Sequence, residues 1–387
     1  MSVRQHPVYR RGLTFLSLLL AVFLVACNER VETDSELQRL DGKTMGTTWS
    51  VVLGSSVSES PGLTTAGSFA EPDSESLERV DPAIDPAIDV HVLKIEIEQE
   101  LARLNRLMST WDPDSELSRF NALQSIEAQP LHTDTLLVID TARRVSQLTA
   151  GHYDITLAEV ISFWGFGEQR FDDEPDEPDE PDESDESDES RLTQLLARAG
   201  HHQLVRSGDT LRKRNPDVQL DVSSLAKGFA VDQIGRLLEG FGVDHYIAEI
   251  GGELRVRGFR RPGLRWQVGV EHPDGSVNSG LALTDAHVAS SGSYRNYREL
   301  DGKRISHIID GSTGRPIEHS LVAVTVLHDS TMLADAWATA LLIVGNSRAI
   351  ELSEKMNLAV QLTSRSANGF SVYRSPRFAE QVMESNS

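Results

Sequence analysis

Asp335 is the only charged residue in the apolar run Thr331-Met-Leu-Ala-Asp-Ala-Trp-Ala-Thr-Ala-Leu-Leu-Ile-Val-Gly, and Thr339 follows it four residues later. At helical spacing the two share a face. A carboxylate and a hydroxyl there offer hard oxygens suited to Mg²⁺; a buried arginine or backbone amides would satisfy the same carboxylate. In Leu220-Asp-Val-Ser-Ser-Leu-Ala-Lys-Gly-Phe-Ala-Val-Asp, Asp221 and two serines open an amphipathic helix whose free amides favour an anion, and Lys227 lies one turn in, near enough to add charge for a phosphate. An ordinary helix cap with a solvent lysine reads the same way. His307 and Asp310 stand among Ser, Gly and Arg where a strand passes into a turn. The pair fits a general base with its orienter, or a turn aspartate beside a surface histidine. In Glu249-Ile-Gly-Gly-Glu, the paired glycines permit close approach by a ligand or form a tight hairpin turn.

The surrounding pattern supplies the elements that must hold these groups. Leu93, Ile97, Leu101, Leu104 and Met108 fall on one helical face, and Leu137, Ala142, Val145 and Leu148 repeat the pattern over 134–149 with Gly151 as a stop. Further helices are expected from Ser223 or Ser224 to Glu239, from Met332 to Val344 and from Ser347 to Met356. Residues 42–53 read as a turn entering a strand, and strands are expected at Tyr246–Ile250, Leu254–Arg257, Trp266–Glu271, Gly280–Leu283 and Val322–Leu327. Short strands on short turns, with helices in separate groups, indicate an α+β fold: one catalytic domain with a largely antiparallel sheet flanked by helices. No glycine fingerprint of the dinucleotide-binding or P-loop type occurs.

The 387 residues, 39% apolar and 25% charged, suffice for a buried core. Of the formal charge of −22, thirteen carboxylates fall between Asp172 and Glu189 without a single base. With no basic stripe elsewhere, nucleic acid is excluded as a partner. Like charges this dense, interrupted by prolines, make 172–190 a solvated insertion. A second insertion, about 55–90, is rich in Ser, Gly, Pro and acids. The N-terminus carries Arg4, Arg10 and Arg11 ahead of the apolar stretch Leu13–Ala26, which is too short to span a bilayer comfortably. It ends Leu24-Val-Ala-Cys27, similar to a bacterial lipobox, and Cys27 is the only cysteine. The organisation expected is therefore a lipoprotein signal peptide at 1–26, lipidation on Cys27, a tether at 27–41, the catalytic domain at 42–375 and a tail at 376–387, with the mature protein lipid-anchored on the periplasmic face of the bacterial inner membrane.

Taken in order, Lys43-Thr-Met-Gly-Thr-Thr-Trp, Met108-Ser-Thr-Trp-Asp-Pro-Asp-Ser-Glu-Leu-Ser-Arg-Phe-Asn, Gly151-His-Tyr-Asp-Ile-Thr, Phe163-Trp-Gly-Phe-Gly, Asp221-Val-Ser-Ser-Leu-Ala-Lys-Gly, Gly251-Gly, Ser290-Ser-Gly-Ser-Tyr-Arg-Asn-Tyr, His307-Ile-Ile-Asp and Ala334-Asp-Ala-Trp-Ala-Thr make a single pattern. It closely resembles the ApbE family of FAD:protein FMN transferases, over roughly residues 42–375.

The resemblance implies a Mg²⁺-dependent enzyme that cleaves FAD and attaches FMN to a Thr or Ser hydroxyl of an acceptor protein, with AMP released. Acceptors of this kind include subunits of sodium-pumping or electron-transport membrane complexes. By the same resemblance, Met45, Trp111, His152, Tyr153, Asp154, Asp221, Lys227 and Ile309 bind the flavin nucleotide. Asp335 and Thr339, with the carbonyls of Ser224 and Ala338, hold the metal, and His307 and Asp310 act on the acceptor hydroxyl. Two departures stand out. Gly311 replaces a common proline, which is expected to loosen the turn carrying His307 and Asp310; Ala338 stands where some relatives have a second aspartate, leaving one carboxylate fewer.

Overall fold

The computed structural model describes residues 37–54, 89–166, 187–294, 297–300, 303–367 and 369–386. Cys27, the expected signal peptide and most of the two expected insertions lie outside these residues.

Eight strands build one sheet in chain order: β1 (Arg39–Thr44), β2 (Thr47–Leu53), β3 (Tyr246–Ile250), β4 (Glu253–Arg257), β5 (Ala286–Gly292), β6 (Leu321–His328), β7 (Ala359–Ser366) and β8 (Gly369–Arg374). Every neighbouring pair is antiparallel, as expected from the sequence. Two tight turns fall at the same end of this sheet. Thr44 faces Thr47, so only Met45 and Gly46 join β1 to β2, both with positive φ (46° and 70°), as a two-residue hairpin of the primed type requires. Ile250 faces Glu253, leaving Gly251 and Gly252 (φ 61° and 106°) to join β3 to β4. The Gly251 amide donates to the Thr48 carbonyl at 3.1 Å, which ties the second turn to the first hairpin.

One face of the sheet carries helices α1 (Val90–Met108), α2 (Thr133–Leu148), α3 (Ser223–Gly240) and α4 (Thr331–Val344). Helix α3 lies over β3 and β4, α4 over β5 and β6, and the two pack against each other, with α1 and α2 outside them. Where α3 and α4 cross, a Cβ on Gly228 would strike the backbone of Thr331 and Met332, so only glycine permits this approach. The alternation of the strands puts Ala248 and Ile250 of β3 into this core while Ile247 points the other way. There it meets Trp266, Val268, Leu281 and Leu283 of a hairpin (Trp266–Glu271 with Val277–Leu283) and Phe378 of α5 (Pro376–Asn386).

Several boundaries differ from the sequence-based expectation. β1 begins at Arg39, inside the expected tether, and the expected tail is helix α5, anchored by fully buried Phe378. Asp89 caps α1 through the His91 amide, so the first insertion stops short of 90. The acidic run ends in a helix: Ser187 caps Asp188–Arg198, where the carboxylates of Asp188 and Glu189 suit the positive helix end. Leu137 is 45% exposed, the buried face of α2 being formed instead by Leu136, Val138, Ile139, Ala142 and Val145. Helix α3 is buried nearly all round rather than amphipathic.

Candidate active site

The turn Gly151–Asp154 organises the site, because three consecutive side chains leave it in three directions. His152 reaches Asp310, with Nδ1 2.9 and 3.0 Å from its two carboxylate oxygens. Tyr153 is buried and its hydroxyl lies 2.8 Å from Ser224 Oγ; burial, reinforced by the charges of Asp335, Asp154 and Asp221, raises the phenol well above its ordinary pKa. Asp154 turns inward. Its oxygens accept from the Thr156 amide (2.9 Å) and hydroxyl (2.7 Å), the Ser146 hydroxyl (3.0 Å) and the His201 amide (2.6 Å). Burial opposes ionisation there, but His201 and Thr156 outweigh it and lower the Asp154 pKa. The resemblance assigns Asp154 to the nucleotide; the structure commits its carboxylate to holding this turn.

Helix α3 starts at Ser223, whose amide is capped by Asp221 Oδ1 at 2.8 Å. One turn later Lys227 extends to Glu253, Nζ to Oε1 2.7 Å, so it is ion-paired rather than a solvent lysine. Burial works against the ammonium, but Glu253 and then Asp335 prevail and raise its pKa above that of an ordinary lysine. Gly251 closes the same corner: a Cβ there would fall 2.9 Å from Thr47 Cγ2 and 3.2 Å from Lys227 Cδ.

Asp335 projects from α4 into this corner, 3% exposed, and accepts from the Gly228 amide at 3.1 Å. That amide is the one a regular helix would give to the carbonyl of Ser224. Burial above all, and the Glu253 charge next, push the Asp335 carboxyl well above the usual range, with Lys227 and the Gly228 amide pulling the other way. Thr339 presents its hydroxyl 2.9 Å from Ser291 Oγ of β5, and Ala338 is fully buried. Among the described residues no three His, Cys, Asp or Glu side chains cluster as a metal site. A cation here would rest on one carboxylate supported by hydroxyls and carbonyls.

The register of α4 is fixed by a residue given no role from the sequence. Asp232 of α3 accepts from Ser330 Oγ (2.7 Å) and the amides of Thr331 (2.9 Å) and Met332 (3.1 Å), and lies 3.1 Å from His287 Nδ1. Burial would raise its pKa, but these partners bring it down to about 2. Within a helix read as amphipathic, nothing set Asp232 apart from a solvent-facing acid. Glu253, the partner of Lys227, stood in a quoted motif and was likewise given no role.

His307, Ile309 and Asp310 share one segment but point apart. Ile309 is buried with Leu157, Val160 and Leu192, supporting the turn from below. Of the arrangements left open for His307 and Asp310, the structure shows the Asp310 carboxylate against His152, while the His307 ring stands edge-on to Phe166, centroids 6.2 Å apart. Nor does Gly311 loosen the turn. Its amide donates to the His152 carbonyl at 2.8 Å, and a Cβ would collide with the Gly151 carbonyl. Proline could not donate that bond. Trp164 Nε1 adds a further tie, to the Gly314 carbonyl at 2.7 Å.

Met45 sits at the tip of the first hairpin, partly buried against the core. Asn105 of α1 donates to Thr44 Oγ1 at 2.9 Å. Beyond the end of α1, Ser109 Oγ accepts from the amides of Trp111 and Asp112 at 3.2 and 3.0 Å, leaving the Trp111 ring 59% exposed.

Comparison with known proteins agrees with this architecture. The ApbE family model matches residues 45–362. FAD:protein FMN transferase of Escherichia coli K12 is 34% identical over 369 residues, covering 93% of this chain and 95% of the relative. The Vibrio cholerae protein of that name is 36% identical over 351 residues, with 90% and 93% covered. Among solved structures, the flavin transferase ApbE of Vibrio cholerae superposes with a TM-score of 0.73 at 34% identity, covering 89% of this chain and 99% of its own. The apo flavinyl transferase ApbE of Pseudomonas stutzeri gives 0.73 at 30% identity, with 89% and 96% covered. Similarity of this extent, in sequence and in fold, makes the chain an enzyme of the ApbE family.

Proposed function

We propose that the chain is a Mg²⁺-dependent FAD:protein FMN transferase that moves FMN onto a Thr or Ser hydroxyl of an acceptor protein. The observation that carries the metal assignment is the placement of Asp335, a carboxylate 3% exposed on the α4 helix that also carries Thr339, with burial first and the Glu253 charge next disfavouring its ionised form. A divalent cation would favour that form, and Asp335, Thr339 and the carbonyls of Ser224 and Ala338 supply the hard oxygens it prefers. When bound, Mg²⁺ would spread the charge that develops on the pyrophosphate oxygens.

The residues then divide the work. Lys227, held in place by Glu253, would supply the cationic contact to the phosphates, with the start of α3 beside it. Met45, Trp111 and the backbone of the His152–Tyr153 turn border the flavin nucleotide. The acceptor hydroxyl attacks the FMN-side phosphorus, the bond to the AMP oxygen breaks, and His307 takes the hydroxyl proton. Asp310 keeps the His307 turn in place.

Incubating the protein with FAD, Mg²⁺ and an acceptor tests this directly. Covalent fluorescent product on the acceptor supports transfer; free FMN would make the chain an FAD pyrophosphatase, and intact FAD a flavin carrier. Export and anchoring rest on the sequence of the first 27 residues. Replacing Cys27 by Ser should abolish incorporation of labelled fatty acid, and persistent label would remove the anchor.

A further inference from the structure

We propose that His152 is a positioning residue of the transfer reaction, which holds the Asp310 carboxylate and thereby fixes the turn that carries both Asp310 and His307. This rests on the reading of His307 as the base for the acceptor hydroxyl, with Asp310 holding its turn. The Asp310 turn is stabilised locally in the way of many aspartate turns: its Oδ1 accepts from the Ser312 amide (2.8 Å) and hydroxyl (2.7 Å), and its carbonyl accepts from Gly314 (2.7 Å) and Thr313 (3.1 Å). These bonds shape the turn without fixing where it lies.

Ile309 and Trp164 place the turn against its neighbours, and His152 adds a direct hold on the Asp310 carboxylate from a segment 158 residues away in sequence. Its ring nitrogen is within 3.0 Å of both Asp310 oxygens, so the carboxylate has no low-energy rotation that keeps both contacts. A carboxylate only accepts, so Nδ1 carries the hydrogen in this contact. The His152 carbonyl meanwhile takes the Gly311 amide at 2.8 Å. One residue thus grips the turn by side chain and by backbone. The absence of a Cβ at Gly311 is what lets the two segments approach, since the space is filled by the carbonyls of Gly151 and His152 and by Leu157. His152 is itself anchored, because Tyr153 next to it bonds Ser224 and Asp154 is locked to Thr156 and His201. The grip therefore ties the proton-handling turn to the helix start beside the metal residues.

A direct ligand contact and a positioning role make different kinetic predictions. Small displacements of reacting groups cost up to ~10²-fold in rate without changing how tightly substrate binds. For the full-length protein, with the flavin-carrying subunit of a sodium-pumping complex as acceptor probe, His152→Ala should lower kcat by about 10- to 100-fold. The dissociation constant for FAD should stay within about twofold of wild type. His152→Asn places an amide donor near the Nδ1 position and should recover most of the rate. Gly311→Ala, which forces the segments apart, should show the same split with His152 intact. A higher FAD dissociation constant at unchanged kcat would make His152 a nucleotide ligand instead. Equal losses in His152→Ala and His152→Asn, or a lowered thermal midpoint with normal kcat, would likewise overturn the assignment. If wild type itself attaches no FMN, the transfer reaction falls and His152's part in it falls too, an outcome the variants alone cannot mimic.

Discussion

The Asp310 carboxylate is gripped by the ring of His152, 2.9 and 3.0 Å away, and not by His307 three residues before it in the chain. The His307 ring stands outside that contact, edge-on to Phe166. Loss of His307 should then affect proton removal while leaving the Asp310 turn in place. His307→Asn is expected to bind FAD nearly as well as wild type and to transfer FMN ~10²–10⁴-fold more slowly, the usual range for a lost general base. Single-turnover transfer combined with equilibrium FAD binding checks both halves; near-normal turnover would shift the base role to Asp310.

At the residues proposed to hold Mg²⁺, Asp335→Ala should abolish transfer, whereas Thr339→Ala should retain part of it and be restored by excess Mg²⁺. A readout independent of turnover is available. Mg²⁺ should raise the thermal midpoint of the wild type and leave that of Asp335→Asn unmoved, since binding to the folded state alone stabilises it. Because burial opposes the charge, Asp335→Asn should also be the more stable protein in chelator at neutral pH. A Mg²⁺ shift preserved in that variant would remove Asp335 from the metal shell.

Asp232 should couple stability to acid. Its folded pKa of about 2 lies below the ordinary aspartate value, so the unfolded chain binds the proton more readily and the contribution is complete above the unfolded pKa. The difference amounts to about 2 kcal/mol. Asp232→Asn should lie below wild type by roughly that amount near neutrality, and the gap should close progressively as pH falls from about 4 toward 2. Denaturant melts across this interval give the measurement; a gap constant with pH would mean that the ionised carboxylate is not what holds α4.

The acidic run divides at Ser187. Replacing 172–186 with a short Gly/Ser linker should leave thermal midpoint and transfer nearly unchanged. Extending the replacement to 190 removes the Ser187 cap and the first turn of the following helix, together with the Glu189 pairing to Arg315, and should cost about 1 kcal/mol. Equal behaviour of the two replacements would show that the cap contributes nothing.

Local pattern in the sequence determined much of this protein. Helical spacing of Leu93, Ile97, Leu101, Leu104 and Met108 placed α1, a short run bounded by turn residues placed Tyr246–Ile250, and the ordered motifs placed the chain in its family, because periodicity and motif order are written in consecutive residues. A lone aspartate in the apolar Thr331–Val344 helix already marked Asp335 as a residue needing a partner. What the sequence left open were partners distant in the chain. His152 with Asp310, Lys227 with Glu253, and Asp232 with the start of α4 depend on where the antiparallel sheet and the Gly228 crossing bring separate segments. Local reading left open whether Asp310 orients His307 three residues away or serves a turn; the hairpin that follows Asp310 and the packing of the Gly151–Asp154 segment bring its carboxylate to the His152 ring. The same logic took Asp154 inward, since a buried aspartate ionises only where amides and hydroxyls converge on it, and that convergence exists only once Ser146, Thr156 and His201 have been folded around it.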